Sequence, residues 1–455
     1  QPQPAGGAAA RRAGGAAAAR AARPGRQPPA RARGRRAARL ARAAAPLRQP
    51  FGPWADSLAT LNLRGNRLVV LRADSFPAAL PLRELALSFN ELEVAALANL
   101  TRLRVLDLSA ALLDNNNLHR VSVERLPLDL HDNRLMEFCS YHFENVSGEK
   151  VPFSVNVSGN LIASLVGGDY PVLINVLDLS HNLLESLPGP FFEALGPHIR
   201  QLILSHNRLA FIDGTSFGSL PNLHVLNLND NRLDILKRRV FAEMPSLMVL
   251  DLSSNRLRQL SVEQFHGLRG LRHLRLDRNQ LRALPRDCFM NTLLEHLDLS
   301  DNQLTVYPSS ALAQVGFTLR RLELARNRLE YLDGAMLRAT GFLRELGLAS
   351  NQLTALGDRT LAGLPRLRRL DLSGNAVKAN FKELFRSDVR HLANLRALDL
   401  ARNRLTSLQP AMWAALPLLV SLDVSENPIV TYRFSPQDVL DGTSQGSRDL
   451  LRIYL

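Results

Sequence analysis

One short pattern in this sequence has the spacing of a nucleophilic catalytic site. Gly442, Ser444 and Gly446 match G-x-S-x-G, in which a serine on a tight turn between a strand and a helix attacks a carbonyl carbon. The surrounding residues 435–449 are polar, they lack a flanking strand and helix pattern, and no Asp or His is assigned to a triad. The pattern therefore does not predict catalysis, and we expect no enzymatic activity.

Metal-binding and redox chemistry are not indicated either. The eleven histidines show no H-E-x-x-H spacing, and no glycine-rich loop has the phosphate-binding pattern. Cys139 and Cys288 are the only cysteines, and they occupy different positions in repeats that lie six apart. We expect them to be buried free thiols rather than a disulfide. The sequence predicts no catalytic residue, no metal site and no cofactor.

Three N-x-S/T triplets could accept N-linked glycans, a modification of secreted and cell-surface chains. Their asparagines are Asn99, Asn145 and Asn156. Asn156 is the most informative of the three, because it falls within a predicted strand and would point away from the sheet. A glycan at Asn156 would cover that part of the sheet, so binding would be displaced toward the later part of the chain or a lateral face.

The elements that position these residues come from one phrase that recurs every 24 residues. Between Ile199 and Leu281 it reads LILSHNRL, LNLNDNRL, LDLSSNRL and LRLDRNQL. Two leucines at a spacing of two lie on the same face of a short strand, so both point inward. A phenylalanine ten residues after each turn asparagine supplies a second apolar position: Phe217, Phe241, Phe265 and Phe289. No coil can bury its own apolar face, so the phrase predicts an α/β leucine-rich repeat solenoid.

An asparagine ends almost every strand of this phrase. A buried carboxamide can donate to and accept from the backbone at a sharp turn, where an unsatisfied group costs roughly 1–3 kcal/mol. About 16 repeats are predicted, and Ala111 is the turn residue of the third, since its spacings of 21 and 22 residues fit the repeat better than Asn116 would. The predicted asparagine ladder is Asn66, Asn90, Asn133, Asn160, Asn182, Asn207, Asn231, Asn255, Asn279, Asn302, Asn327, Asn351, Asn375, Asn403 and Asn427.

The residue between the two leucines of each strand is predicted to face outward on the concave side of a curved parallel sheet. Nine of the sixteen such residues are acidic, which favours a basic or cation-bridged partner. The alternative is that the Asp of the phrase LDLS serves solubility, and both interpretations stay open. Ile203, Arg275 and Gly347 depart from the pattern, so specific contacts would be sought there first. The candidate binding face is Asp178, Ile203, Asn227, Asp251, Arg275, Asp298, Glu323, Asp371, Asp399 and Asp423.

Charge and composition divide the chain into three segments. Residues 1–50 hold twelve Arg and no acidic residue, so only +2 of the formal charge of +14 remains for the other residues. This Ala/Arg/Gly/Pro-rich segment is expected to be disordered, and it lacks the aromatic residues that stack on bases, so no nucleic-acid partner is expected. The solenoid is predicted over residues 51–434. Residues 435–455 are predicted to form a polar loop and the start of a further, truncated repeat.

The phrase, with Phe ten residues after Asn, resembles the typical extracellular leucine-rich repeat class over about residues 58–430. Within this class, the long run of LDLSxNxL units and the segment FENVSGEKVPFSVNVSGNLI at 143–162 resemble the chaoptin family of cell-adhesion proteins. The resemblance implies an irregular or helical convex side and a glycosylated protein at the cell surface or outside the cell. It also implies a protein partner, with a second copy of the same chain among the candidates.

Toll-like receptor ectodomains share the same repeat, so an innate-immune or developmental signalling receptor is the alternative function. An intracellular scaffold comes third, favoured by the unpaired cysteines and the basic segment. The sequence contains no run of 18 apolar residues and no secretory signal pattern at its start. We therefore expect a fragment, in which membrane contact would depend on an anchor outside these residues.

Overall fold

The computed structural model describes residues 57–454 with gaps, the longest at 114–127, 140–151, 378–391, 409–415 and 433–451. Its main element is a 17-stranded sheet in which every pairing is parallel. In sheet order the strands are Thr60–Asn62, Glu84–Ala86, Val105–Asp107, Leu128–Asp129, Phe153–Asn156, Ile174–Asp178, Gln201–Ile203, Val225–Asn227, Val249–Asp251, His273–Arg275, His296–Asp298, Arg321–Glu323, Glu345–Gly347, Arg369–Asp371, Ala397–Asp399, Ser421–Asp423 and Arg452–Tyr454.

Neighbouring strands pair in a register that repeats from coil to coil. Leu202 lies beside Leu226, and Leu226 lies beside Leu250. These leucines are fully buried, whereas the residue that follows each of them faces away from the core. The spacing of two within each strand therefore places one continuous apolar row inside the stack. The predicted α/β solenoid of stacked coils around a parallel sheet is confirmed.

The remainder of each coil consists mainly of turns. Four two-stranded parallel sheets run beside the main sheet: Val70–Leu71 with Val94–Ala95, Glu137–Cys139 with Ser164–Val166, Phe211–Ile212 with Ile235–Leu236, and Ser407–Leu408 with Thr431–Tyr432. The described α-helices are Gly189–Leu195, Ser309–Leu312 and Gly334–Leu337, and the described 3₁₀ turns are Arg338–Thr340 and Thr360–Gly363. The interval of 28 residues between Asn375 and Asn403 predicts a helical convex segment around 381–391, which lies outside the described residues.

The turn asparagines join each coil to the one before it. Asn255 Nδ2 donates to two carbonyls of its own coil and, at 3.0 Å, to Leu228 O of the preceding coil. Its Oδ1 accepts from Leu233 N at 3.0 Å. The carboxamide thus replaces the ladder bonds that the backbone loses where it turns. The residues that bond in this way are Asn90, Asn133, Asn160, Asn182, Asn207, Asn231, Asn255, Asn279, Asn302, Asn327, Asn351, Asn375, Asn403 and Asn427.

Two turn positions differ from this arrangement. Asn66 is exposed, and its Nδ2 donates only to carbonyls of its own coil. Ala111 is fully buried and has no side-chain amide to offer. Other hydrogen bonds partly replace the missing amide. Leu92 N donates to Ala111 O at 3.0 Å, and Asn133 Oδ1 accepts from both Ala111 N and Leu113 N. Ala111 therefore occupies the turn position of its coil.

Aromatic rings stack on the side of the core away from the sheet. Phe217 and Phe241 have ring centroids 6.3 Å apart, and Phe265 and Phe289 have centroids 5.8 Å apart. All four are buried. Each ring fills the width of its coil, so the coils pack against each other on both sides of the solenoid.

Candidate functional site

The outward residues of the strands form a line across the sheet, which we call the carboxylate column after its acidic members. From Asp298 to Asp423 the column contains Asp298, Glu323, Gly347, Asp371, Asp399 and Asp423, and none of these is basic. Before Asp298 it is mixed, because Ile203, Asn227, Asp251 and Arg275 occupy the same position. The structure thus brings all ten candidate residues onto one face, but only the later ones form a uniform acidic line.

Most column aspartates use one oxygen for a local turn. Asp371 Oδ1 accepts from the N–H and the hydroxyl of Ser373, at 2.9 and 2.7 Å. Asp423 makes the same two bonds to Ser425. This is an Asx-type turn, in which the side chain holds the backbone that leaves the strand. The Asp of LDLS therefore supports the fold, and its negative charge is also displayed on the sheet face.

The carboxylates of Asp371, Asp399 and Asp423 lie on adjacent strands, and their charges change the pKa of Asp399. Burial raises the pKa of Asp399, and the neighbouring charges of Asp371 and Asp423 raise that pKa further. The N–H of Ala401 acts in the opposite direction. Asp371 and Asp423 lie on the strands beside Asp399 and repel it, and Arg402, which is paired with Glu426, offsets only part of this repulsion. A cationic group from a partner would therefore be favoured there.

Arg275 is the only basic residue in the column, and it lies among carboxylates. Its guanidinium is 3.3 Å from Asp251 and 3.2 Å from Asp277. The Asp277 side chain is only 3% exposed. Its burial raises the pKa of Asp277, as does Asp298, whereas Arg275 lowers it. Arg275 therefore serves an internal ion pair, and much of its charge is not available to a partner.

Sequence reasoning missed Asp277, although a signal for it was present. The phrase places Ser at this position in most coils, for example at Ser253 and Ser300, whereas this coil reads LRLDRNQL. A buried carboxylate in place of a small hydroxyl requires a partner nearby. Arg275, two residues earlier, points from the same strand end and supplies it. The two substitutions in one phrase could have been interpreted as a pair.

Glu323 and Gly347 also form a matched pair. A Cβ atom on Gly347 would overlap Oε2 of Glu323, so the missing side chain leaves the space that this carboxylate occupies. Glu323 lies against Arg321, whose Nε is 3.1 Å from Oε1. Burial raises the pKa of Glu323, while Arg321 lowers it. Three column residues depart from the acidic pattern: Ile203, Arg275 and Gly347. Two of them serve neighbouring carboxylates, since Arg275 pairs with them and Gly347 leaves space for one.

Histidines occur in pairs along the solenoid. His273 and His296 begin adjacent strands, and their rings meet edge to face with centroids 4.5 Å apart. Burial lowers the pKa of His296, and His273 and Arg321 lower it further. His181 and His206 stack at 4.1 Å, and Asp230 lies 2.9 Å from His206. Within the described ranges, no group of three His, Cys, Asp or Glu side chains could hold a metal ion.

Both cysteines are buried and unpaired with each other. Burial raises the pKa of Cys288 far above its ordinary value, so its thiol stays protonated. Cys139 Sγ donates to Glu137 Oε1 at 2.8 Å. In the part of the chain that the structure describes, no helix is long and apolar enough to span a bilayer.

Of the three glycan acceptors, only Asn156 lies in the described residues. It ends a strand on the sheet face, and its Oδ1 accepts from the N–H and the hydroxyl of Ser158 at 3.1 and 2.8 Å. This is the same turn that the column aspartates make, so Nδ2 remains directed away from it. Asn99, Asn145, the Gly442–Gly446 pattern and segment 1–50 fall outside the described residues.

The comparisons with known proteins agree with this geometry. A family model described as leucine rich repeat matches residues 56–118, 197–257, 245–304, 317–377 and 379–429, together more than half of the chain. Among curated proteins, leucine-rich repeats and immunoglobulin-like domains protein 3 of Homo sapiens is 28% identical over 183 residues, which are 38% of this chain and 15% of that protein. Podocan-like protein 1 of Mus musculus is 31% identical over 180 residues, or 37% of this chain and 30% of that protein.

A third relative, osteomodulin of Rattus norvegicus, is 27% identical over 190 residues, or 36% of this chain and 44% of that protein. The chain thus spans less than half of the length of these three relatives. Among solved structures, a leucine-rich repeat protein of Leptospira interrogans has a TM-score of 0.66 and 25% identity, and the match covers 87% of this chain and 97% of that one. The Toll–Spatzle complex of Drosophila gives a TM-score of 0.65 at 20% identity, with 83% and 55% covered, which concerns the fold alone. The chain belongs to the leucine-rich repeat family.

Proposed function

We propose that this chain is the recognition solenoid of a non-catalytic cell-adhesion protein, located at the cell surface or outside the cell. Its partner is a protein, and the contact is made by the carboxylate column between Asp298 and Asp423. Recognition through a preformed sheet suits a solenoid, because the stack fixes many outward side chains without a loop having to order on binding.

One observation carries this proposal: the column is acidic at five of the six positions from Asp298 to Asp423 and has no basic member among them. Such a line is costly for the free protein and is relieved by a basic partner surface. The raised pKa of Asp399, caused by burial and by its carboxylate neighbours, supports the same interpretation. Binding should weaken as the pH falls from neutral toward the raised pKa of Asp399, because this carboxylate then takes up a proton.

The extracellular location rests on separate grounds. The sequence carries three glycan acceptors, and its relatives include a podocan-like protein and a protein with immunoglobulin-like domains. A glycan on Asn156 would stand on the sheet face, 22 residues before Asp178 and one strand away from it. A glycan there leaves the later strands open for a partner.

The phrase LDLS offers a direct test, because one substitution turns it into a glycan acceptor. Asp371→Asn creates N-L-S at 371–373, and Asp251→Asn creates N-L-S at 251–253. Both sites lie in the same column, on different parts of the sheet. The chain would be secreted from animal cells in each form, coupled to beads and tested for bead aggregation and for binding to cell surfaces by flow cytometry.

We expect the glycan at position 371 to abolish binding and the glycan at 251 to leave it largely intact. Mass spectrometry checks that both sites, and the native acceptors, are occupied. Binding that survives the glycan at 371 contradicts the proposed face. Absence of both bead aggregation and cell binding for the unaltered chain contradicts the adhesion role itself.

The alternative function is that of a Toll-like signalling receptor ectodomain. One solved structure with a similar fold contains Toll in complex with Spatzle, so a fold of this kind can serve in such a complex. The full-length transcript distinguishes the two functions. A carboxyl-terminal anchor signal supports adhesion, whereas a membrane span followed by a signalling domain supports a receptor.

A further inference from the structure

Four arginines occupy the same position at the edge where the chain enters the later strands. They are Arg320, Arg344, Arg368 and Arg396, which we call the arginine row. Their backbones form one hydrogen-bond ladder: Arg344 N donates to Arg320 O at 2.7 Å, Arg368 N to Arg344 O at 2.7 Å, and Arg396 N to Arg368 O at 2.8 Å. The row therefore advances by one strand spacing, about 4.8 Å, at each step.

Within the described residues, no carboxylate pairs with the exposed arginines of this row, which are Arg344, Arg368 and Arg396. At the same edge, Arg272 is paired with Glu295 on the next coil. Like charges held this close repel one another, so the free protein is strained electrostatically along the row and an anion lying across it would relieve that repulsion.

An aromatic pair fixes the start of the row. The Phe342 ring lies 5.4 Å from the Arg320 guanidinium and 4.1 Å from that of Arg366. Phe317 meets Phe342 edge to face at 5.6 Å and is 74% exposed. Arg320 Nη1 also donates to Phe317 O at 2.9 Å. These contacts hold two guanidinium groups in place and leave one apolar ring facing solvent beside them.

We propose that the arginine row, with Arg366 and Phe317, binds a linear sulfated polysaccharide. A guanidinium matches the oxygens of a sulfate with two parallel hydrogen bonds, as it does for phosphate and carboxylate. A sulfated sugar chain carries anionic groups along its whole length, and one sugar ring is about as long as the distance between strands. The apolar face of a ring can pack on Phe317. This second site goes beyond the protein contact of the carboxylate column and lies at another edge of the same coils.

The observations favour a polysaccharide over an acidic protein. A folded partner needs a contact of roughly 800 Å² on each side with an apolar, well-packed centre. The row is one residue wide, its side chains are long and exposed, and Phe317 is its single strongly exposed aromatic neighbour among the described residues. Such a narrow periodic strip suits an extended ligand that needs charge at regular intervals more than a complementary shape.

The test uses the purified full-length chain and a heparin-derived octasaccharide on a biosensor. One variant combines Arg344→Ser, Arg368→Ser and Arg396→Ser. The matched control combines Arg208→Ser, Arg232→Ser and Arg256→Ser, three exposed arginines that follow turn asparagines on consecutive coils. Both variants lose the same net charge, and both keep the arginine-rich residues 1–50, so any binding by that segment is common to them.

We expect the row variant to lose about 10- to 30-fold in affinity and to show a shallower dependence on salt concentration, since three anionic contacts are removed. The control variant is expected to change by less than threefold, and a chemically desulfated octasaccharide is expected not to bind. An unchanged unfolding temperature verifies that both variants fold. The outcome does not depend on the adhesion role, which the bead experiment tests separately.

Three results would overturn the proposal. Equal losses in the two variants would assign binding to net charge alone, and unchanged affinity in the row variant would assign it elsewhere, as to residues 1–50. The third is an oligoglutamate peptide that binds the row more tightly than the octasaccharide does, which would assign the row to an acidic protein partner. Arginine modification followed by mass spectrometry, with protection expected at Arg344, Arg368 and Arg396, locates the bound octasaccharide directly.

Discussion

The central coils, residues 199–281, and the later coils, residues 295–425, share one skeleton and differ on their surfaces. In both, buried leucines fill the strands and a turn asparagine bonds to the preceding coil. The column of the central coils is mixed in charge, whereas that of the later coils is acidic and is bordered by the arginine row. The difference indicates that the repeat builds a platform and that recognition depends on outward residues the repeat leaves free.

The interiors differ as well, on the side away from the sheet. In the central coils, Phe217 and Phe241 stack in consecutive coils. In the later coils, leucines take the phenylalanine position at Leu312, Leu337 and Leu361. The fully buried Tyr307 also bonds to Thr340 at 2.9 Å between their side-chain oxygens. Burial raises the pKa of Tyr307 above its ordinary value, so it remains a neutral donor. Aromatic contacts thus help to hold the interior in one region, and a buried hydrogen bond helps to hold it in the other.

The largest expected effect tests whether the skeleton is the same in both regions. Asn255→Ala and Asn351→Ala each remove a carboxamide that makes four hydrogen bonds, at least three of them buried, and each leaves backbone groups without partners. At about 1 kcal/mol per bond, each substitution lowers the free energy of unfolding by about 4 kcal/mol. Urea unfolding measures both. A small effect at only one of the two would break the equivalence of the two regions.

The next effect addresses the interiors. Phe241→Ala removes a fully buried ring between packed coils and is expected to cost about 3 kcal/mol. Tyr307→Phe keeps the ring and removes one hydrogen bond to Thr340, so about 1 kcal/mol is expected. Thermal unfolding of the two variants beside the wild-type chain gives the comparison. Equal losses would mean that the two regions do not differ in how their interiors are held.

A third effect concerns the ion pair at the boundary of the two regions. Arg275→Leu leaves the buried Asp277 with the more distant Arg278, whose Nε lies 3.7 Å from Oδ2, and a loss of about 2 kcal/mol is expected at neutral pH. Adding Asp277→Ser, which restores the usual wording of the phrase, should recover most of that loss. Arg275 lowers the pKa of Asp277, so its removal raises that pKa further above the unfolded value.

The pH dependence of the Arg275→Leu variant follows from this shift. A carboxyl group whose pKa is higher in the folded state takes up protons on folding, so stability rises as the pH falls through the folded pKa toward the ordinary value of about 3.9. The deficit of Arg275→Leu should therefore shrink on acidification, while the double variant should show no such recovery. A deficit that is constant with pH would assign the loss to packing of the Arg275 side chain.

The sequence predicted the skeleton because each skeletal residue answers a local need that recurs in every coil. Leu226 and Leu250 must point inward at the strand, and Asn255 must satisfy the turn, so a fixed spacing reveals them. Ala111 was placed from spacing alone, and the structure shows how Asn133 supports that coil. The segment around 381–391, for which a helix is predicted, lies outside the described residues.

Residues whose side chains fit one another across neighbouring coils, such as Glu323 and Gly347, were harder to predict. The sequence could not show whether Asp371 serves the fold or a partner, because the same carboxylate can serve both. One oxygen closes a turn, and the negative charge remains on the sheet face. Arg368 and Arg396 recur at the same position, just before the strand of each coil. That they have no ion pair among the described residues depends on which side chains the neighbouring coils bring close to them. Contacts across coils require the register, which the structure supplies.

Gly347→Ala gives the smallest expected effect, and it tests the fit between Gly347 and the Glu323 side chain alone. A Cβ at Gly347 would overlap the carboxylate of Glu323, but that group ends a flexible side chain and can move into solvent. We expect a loss of roughly 0.5–1 kcal/mol in the free energy of unfolding at neutral pH, measured by urea unfolding. Gly214→Ala is the matched control, since a Cβ there meets no atom within 4 Å.

The pH profile separates displacement of Glu323 from simple crowding. Burial raises the pKa of Glu323 in the wild-type chain, so this residue adds stability as the pH falls from neutral toward the ordinary glutamate value of about 4.3. Once the side chain is moved into solvent, its pKa returns toward that value and this gain is lost. The wild-type chain should therefore gain more on acidification than Gly347→Ala does. Parallel profiles would mean that Glu323 stays in place and that the backbone at Gly347 yields instead.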